Sequence, residues 1–370
     1  MTKQIAPPHT KIFAIQRESN IELLRLICMF LIVLQHIVKH AIFPEAQGDG
    51  AWTVGSYVGA LSLGFVCVGV NCFVLISGFF GIKFKLRSLF NLYAICAFYN
   101  LIAYGVHIGL DDASIGKSLI LNTLLPFSHS TWWFINCYVQ LFFLAPFINY
   151  AIDNINCKQH LYILLALTFL NIYLGHSWQT ELFDTSGMST MHFIYLYVIG
   201  RYLGKYVSAD MIDANRIKWL ALLIGLAALG GIGQCIEHLG YIENWMGLNN
   251  NSPLMIGSAI GLLLYAKSFY FQSRFINSIA ISTLAIYLGH EHEYVRFHLY
   301  NSISQLHKTY IDTTIVANDM IGRITFCVIF ALIICVSILV FDKVRLLLMI
   351  PIWKLYDKVE PNIILLLQKI

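Results

Sequence analysis

The sequence predicts an all-α, polytopic integral membrane protein of about ten transmembrane helices, with both termini in the cytoplasm. Three observations predict it. Hydrophobic residues make up 58% of the 370 positions and charged residues only 12%, with a mean hydropathy of +0.68. A soluble chain carries roughly 45–50% apolar and about 25% charged residues, and a water-facing surface of this size needs charge. The apolar positions gather into long runs separated by polar punctuation, and the basic residues are distributed asymmetrically between alternate loops. This composition excludes an ordinary cytosolic enzyme and a disordered regulator. It also excludes a nucleic-acid binder, because 24 basic residues spread along the chain make no phosphate-tracking stripe.

A bilayer span needs about 20 mostly apolar residues. Runs of that kind predict spans at 20–40, 56–81, 88–110, 132–152, 160–178, 189–206, 217–239, 253–272, 276–297 and 319–342. Residues 118–126 are apolar but too short to cross and read as a buried or interfacial helix. Residues 345–370 alternate Leu, Ile and Trp with Lys, Arg and Asp and read as an amphipathic helix on the membrane surface. The organisation expected is a cytoplasmic segment 1–18, a membrane domain 19–342 and a cytoplasmic tail 343–370. No cleavable signal peptide is expected, since no small-residue cleavage site follows the first apolar run. Of the nine cysteines, Cys28, Cys67, Cys72, Cys96, Cys327 and Cys335 fall inside apolar runs without CxxC spacing, and read as small core hydrophobes.

Placing the N-terminus inside leaves only Lys39, Lys117, Arg296, Lys308 and Arg323 on the outer side, of 24 basic residues. That is the bias of the positive-inside rule. The histidines divide the other way. Only His9 and His160 of 13 fall inside, so either outer loops and interfaces tolerate histidine or a histidine-containing site opens outward.

The first span carries the strongest chemistry. Arg25 and His36 are eleven residues apart, within about 20° of three helical turns, so they share one face and stand about 16 Å apart along the axis. Glu22 pairs with Arg25 at i,i+3, and Glu18 with Glu22 at i,i+4, so charge crowds the inner end. Ionisable groups inside a membrane are costly and line cavities or pair with one another. The bland alternative is a snorkelling Arg and an interfacial His.

Arg25, ten intervening residues and His36, after Asn20-Ile21-Glu22-Leu23-Leu24-Arg25, resemble the first helix of the acyltransferase-3 family. These are integral membrane acyltransferases, many of which O-acetylate cell-surface sugars. Phe73-Val74-Leu75-Ile76-Ser77-Gly78-Phe79-Phe80 is similar to the family's Phe-x-x-x-Ser-Gly-Phe/Tyr signature. Trp132-Trp133-Phe134-Ile135, running on to Pro146, resembles its Trp-Phe/Tyr-Ile/Leu helix. Ile286-Tyr287-Leu288-Gly289-His290 is similar to its Tyr-Leu-Ile-His element, with Gly289 in place of the usual aliphatic residue. The resemblance covers roughly 17–342, with the elements in the family's order.

The resemblance implies acyl transfer from a cytoplasmic acyl-CoA, such as acetyl-CoA, to a hydroxyl of a surface or lipid-linked glycan. It implies no bound cofactor, and a bacterial cytoplasmic membrane as the location. His36 is then the general base or the acyl carrier. Arg25, Glu22, Ser77, Gly78, Lys83, Lys85 and Arg87 are candidates for the donor site. Lys83, Lys85 and Arg87 equally read as a topology signal, and Ser77 and Gly78 as helix packing. Trp132, Trp133 and Tyr138 are candidates for the acceptor site, with an aromatic belt as the plain alternative for the two tryptophans. His290 and Glu291, in the run His290-Glu291-His292-Glu293, form a polar wall of the acceptor site or a solvated helix end. No metal is expected, because His290 and His292 do not share a helix face. The rival function is a transporter or exporter of a glycan intermediate, which also uses buried Arg, His and Glu. The absence of an evident internal repeat or of paired Gly/Pro-broken helices argues against it.

Overall fold

The computed structural model describes residues 17–43, 52–111, 117–128, 131–178, 186–242, 245, 247–312 and 320–367. Residues 1–16 of the expected N-terminal segment and the last three residues of the tail lie outside them. Every regular element among the described residues is helical.

Helix α1 (Ser19–Ile37) continues into a π-helical turn, Val38–Ile42. Helices α2 (Val54–Val66) and α3 (Gly69–Phe80) follow, then α4 (Leu86–Asp111), the short α5 (Lys117–Leu124) and α6 (Trp133–Asp153). Helix α7 (Cys157–Thr168) also runs into a π-helical stretch, Phe169–Ser177. Then come α8 (Thr190–Tyr206), α9 (Ala209–Ala214), α10 (Arg216–His238) and α11 (Pro253–Lys267). Helices α12 (Arg274–Ala280), α13 (Thr283–His290), α14 (Glu293–His307) and α15 (Met320–Leu367) complete the chain. Local chemistry starts several of them. Thr53 and Ser56 close a capping box on α2, Asn156 and Gln159 do so on α7, and Ser252 caps α11 ahead of Pro253 in its first turn.

Seven stretches are long and apolar enough to cross a membrane: 19–42, 54–80, 86–110, 133–153, 157–177, 216–238 and 320–361. They match seven of the ten expected spans. The other three expected spans are helices of other kinds. α8 has 17 residues and α11 has 15. The span expected over 276–297 is not one helix: it turns at 281–282 and again at 291–292. Ser282 donates its N–H to Ile279 O, Thr283 Oγ1 donates to Ala280 O, and His292 Nδ1 accepts from Tyr294 N to start α14. The Thr283 and His292 side chains thus capture backbone groups that a continuous helix would use. The expected span 56–81 is likewise broken, at Cys67 and Val68. Broken backbone at membrane depth is tolerated where it lines a cavity or is enclosed by protein. None of these breaks is made by Gly or Pro: they fall at Cys67–Val68, Ile281–Ser282 and Glu291–His292.

Helix α1 is central. It packs against α2, α3, α11, α12, α13 and α15. Several crossings depend on glycine. A Cβ on Gly78 would stand 2.3 Å from Tyr197 O, and one on Gly200 2.5 Å from Leu75 O, so α3 and α8 touch backbone to backbone. Gly64 and Gly231 do the same for α2 and α10, with a Cβ on Gly64 reaching within 2.2 Å of Ala227 O. The periphery is apolar: Ile217, Phe147 and Ile321 are each more than 70% exposed, which suits a surface facing hydrocarbon.

No break separates a tail at 343. Helix α15 is continuous through 48 residues, about 72 Å at 1.5 Å per residue, well beyond a bilayer core of about 30 Å. Its extension is held to α4. Arg87 pairs with Asp357 and lies 4.5 Å over the Trp353 ring, and Phe90 stacks on Tyr356. Deeper in, Arg345 donates two hydrogen bonds to Asp342, whose Oδ1 also accepts from Tyr99 Oη at 3.1 Å.

Candidate active site

A cavity of about 570 Å³ runs beside α1. Arg25 lines one end, His36 lies three turns further on, and Lys39 and His40 follow within the next turn. The face shared by Arg25 and His36 in the sequence is therefore the face that α1 turns to the cavity. The middle is apolar, with Met29, Ile32, Phe73, Leu92 and Phe134 on its walls.

The polar centre is built from two elements far apart in sequence. Helix α13 ends at His290, and the turn after it aims Glu291 into the cavity. His290 is fully buried, and its Nδ1 faces Ile286 O, one turn back. A carbonyl only accepts, so Nδ1 carries the proton and Nε2 of the neutral ring is an acceptor. His36 Nδ1 lies 3.1 Å from that Nε2 and must therefore be the donor. The ring nitrogen of His36 left to accept a proton is Nε2. Glu291 Oε2 is 3.0 Å from the same His36 Nδ1 but is not aligned as a hydrogen-bond acceptor, and Oε1 accepts from Arg296 Nη1 at 3.0 Å. Glu291 thus places a carboxyl group, paired with Arg296, beside the His36 ring. Tyr287, on the same cavity wall and beside the Phe134 backbone, and Tyr300, whose ring lies 6.4 Å from that of His36, have buried hydroxyls that donate to no group among the described residues. The ligand atoms of His36, His290 and Glu291 all lie within 4.8 Å of one another, so these are the described residues able to hold a cation together.

A second buried network sets the wall opposite. Asn71 Nδ2 donates to Asn250 O at 2.7 Å, which turns Asn71 Oδ1 toward His192 Nε2, 3.0 Å away. The other nitrogen of the fully buried His192 faces the Asn171 side chain at 3.1 Å. The loop so anchored brings Leu248, Asn249 and Asn250 to the cavity. Gly187, at φ +77°, lets the 186–188 segment run against it, where a Cβ would stand 2.5 Å from Asn251 N.

The structure gathers His36, His290, Glu291, Arg25, Ser77, Trp133 and Tyr138 at or around this cavity. Glu22 is buried and holds Arg25 Nη1 at 2.8 Å. Ser77 also returns its hydroxyl to Phe73 O. Other candidates go elsewhere. Gly78 belongs to the α3–α8 crossing. Lys83 and Lys85 are exposed and do not line the cavity, and Arg87 is spent on Asp357 and Trp353. Trp132 is not in an interfacial belt. It is 1% exposed and packs edge-on against His292, whose Nε2 meets Asn100 Oδ1 at 3.0 Å. The run His290-Glu291-His292-Glu293 therefore divides at the turn rather than forming one wall. Sequence reasoning missed Arg296, His40 and the pairing of Asn71 with His192, and named Tyr287 only as part of the 286–290 element. The spacing of His40 four residues after His36, and of Arg296 five after Glu291, was the available signal.

No curated protein and no solved structure matches the chain. Residues 18–341 match the family described as an acyltransferase domain, which takes in nearly all of the helical bundle and every residue of the cavity's polar centre. The chain belongs to the acyltransferase-3 family and is an integral membrane acyltransferase.

Proposed function

We propose that the protein moves an acetyl or other short acyl group from cytoplasmic acyl-CoA to a hydroxyl of a cell-surface or lipid-linked glycan, with His36 at the chemical step. The observation that carries this is the tautomer chain Ile286–His290–His36. It commits His36 Nδ1 as a donor and leaves Nε2 as the base, in a cavity that also contains Arg25. In this reading His36 Nε2 takes the proton of the acceptor hydroxyl as its oxygen attacks the thioester carbonyl. The tetrahedral oxyanion forms beside donors such as the Tyr287 hydroxyl. The C–S bond then breaks, and the proton passes from His36 to the departing CoA thiolate. Glu291 stabilises the imidazolium in between. Arg25, held by Glu22, meets a donor phosphate at the cytoplasmic end, and its planar fork suits phosphate oxygens. The orientation follows the positive-inside bias, with the N-terminal end of α1 inside.

Purified protein tests this directly. His36-dependent release of free CoA from acetyl-CoA is the expected result, together with ester loss from the surface glycan of cells lacking the chain. Release that is unaffected by His36→Ala would overturn the assignment. A transporter would release none.

A further inference from the structure

Three ligand atoms converge beside the cavity. His36 Nδ1 lies 3.1 Å from His290 Nε2 and 3.0 Å from Glu291 Oε2, and all three atoms stand within 4.8 Å of one another. A tetrahedral zinc ion, bound at about 2.0–2.2 Å, holds its ligand atoms about 3.3–3.6 Å apart, so two edges of this triangle are already within about half an ångström of that size. The His36–His290 edge is a hydrogen bond. The His36–Glu291 edge is not: Oε2 is buried and accepts from no group among the described residues. The ligands are also steered from outside. His290 gives its other ring N–H to Ile286 O, and Arg296 holds Glu291 Oε1, which leaves His290 Nε2 and Glu291 Oε2 turned inward. Metal-binding histidines almost always donate their far N–H to a carbonyl or carboxylate in this way. Two imidazoles and one carboxylate, with a fourth position open to a cavity, make a three-ligand zinc site. Helical spacing on α13 does not show this set, because its third member, His36, comes from α1, 254 positions from His290.

We propose that His36, His290 and Glu291 form an inhibitory zinc site, in which the ion moves the His36 proton from Nδ1 to Nε2. Coordination at Nδ1 needs the lone pair of that nitrogen, and a neutral imidazole keeps one N–H. The proton that Nδ1 gives to His290 in the free protein therefore passes to Nε2. His290 keeps its Nδ1–H on Ile286 O, and Glu291 binds as the carboxylate. Bonds to Nδ1, Nε2 and Oε2 form, one hydrogen bond breaks, and nothing is oxidised or reduced, since Zn²⁺ has no redox chemistry. The inhibitory half rests on His36 Nε2 being the base, because a protonated Nε2 cannot take the proton of an acceptor hydroxyl. The other histidine near His36 fits less well. The His40 ring is 5.9 Å from that of His36, against 5.3 Å for His290, and His40 is exposed.

The test uses full-length protein in phosphatidylcholine nanodiscs, stripped with EDTA and titrated calorimetrically with ZnCl₂. Co²⁺ serves as a visible-absorbing probe of coordination that needs no variant. One Zn²⁺ per chain is expected, with no binding of Mg²⁺. His290→Ala and Glu291→Gln should each weaken zinc at least tenfold, and His40→Gln should leave it within about twofold. Acetyl-CoA binding checks that each variant is folded. CoA release by the unmutated protein should fall at least tenfold at saturating Zn²⁺ and return with EDTA. In Glu291→Gln the zinc concentration that halves the remaining release should rise by the same factor as the dissociation constant. No saturable binding, binding unchanged in both ligand variants, a six-coordinate Co²⁺ spectrum, or activation by zinc would each overturn the proposal. So would loss of binding in His40→Gln, which would assign the ion to α1 alone. Zinc that binds through His290 and Glu291 yet leaves CoA release unchanged would overturn the proton shift. Absence of His36-dependent CoA release without metal would instead overturn the proposed function, while calorimetry still reads the zinc site, so the two failures are distinct.

Discussion

His290 gives its Nδ1 proton to Ile286 O and thereby offers Nε2 to His36 Nδ1, 3.1 Å away. One backbone carbonyl on α13 thus fixes, through His290, the tautomer of His36 on α1, 254 positions from His290 in sequence. This makes His290 a positioning residue. His290→Ala is expected to lower kcat by about tenfold to a hundredfold with little change in KM for the donor, because it frees the His36 ring without removing it. His290→Gln, whose amide oxygen can accept from His36, should recover part of the loss. His36→Ala should cost the larger factor of about 10²–10⁴ that losing a general base brings. Steady-state kinetics of the three variants checks the order.

Tyr287 is the next test. Its hydroxyl is buried on the cavity wall and its proton meets no acceptor among the described residues, which is unfavourable unless a ligand supplies one. Tyr287→Phe removes one donor and nothing else. If the hydroxyl meets the oxyanion, kcat should fall about 10²–10³-fold, the cost of one oxyanion donor, while thermal stability holds or rises. Unchanged kcat would leave the hydroxyl without a catalytic part.

Arg25 is one-third exposed and held by the buried Glu22. Arg25→Ala should weaken binding of acetyl-CoA about tenfold to a hundredfold, following the ~1.5–3 kcal/mol of a charge-assisted contact. A pantetheine thioester without the phosphates should be bound equally by both proteins. Equal losses on the two donors would mean that Arg25 serves the fold. Lys83→Ala with Lys85→Ala, by contrast, should leave both affinities as they are, because neither side chain reaches the cavity.

The helical class and seven of the spans were legible because apolar runs of bilayer length have few other uses. The Arg25–His36 face was legible because helical periodicity is rigid over eleven residues. What the sequence hid were the breaks. Nothing in the periodicity of 276–297 separates a continuous helix from three short ones, and the division at Glu291 and His292 decides which side chain enters the cavity. It also hid what glycine does at each place. Gly78 follows Ser77, yet Ser77 lines the cavity and Gly78 meets the backbone of α8, since adjacent positions on a helix point about 100° apart. Long-range partners such as His192 on Asn71, 121 positions apart, have no local signature at all.

That last network yields a prediction that separates wall geometry from chemistry. Asn71 holds Asn250 O through Nδ2 and receives His192 through Oδ1, so it is the joint between the bundle and the 247–252 loop. Asn71→Ala removes the partner of the Asn250 carbonyl and that of His192 Nε2, a cost of about 1–3 kcal/mol apiece. Asn71→Asp keeps the acceptor for His192 but sets a carboxylate against Asn250 O, so it should hold α8 while releasing the loop. Both variants are then expected to raise KM for the acceptor at least fivefold, since Asn249 and Asn250 line the cavity on that side. His36-dependent hydrolysis of acetyl-CoA should persist within about twofold, because α1 and α13 are not touched by the change. Loss of hydrolysis in step with transfer, in protein that remains monodisperse and folded, would show that the loop shapes the chemical centre itself and not only the wall opposite it.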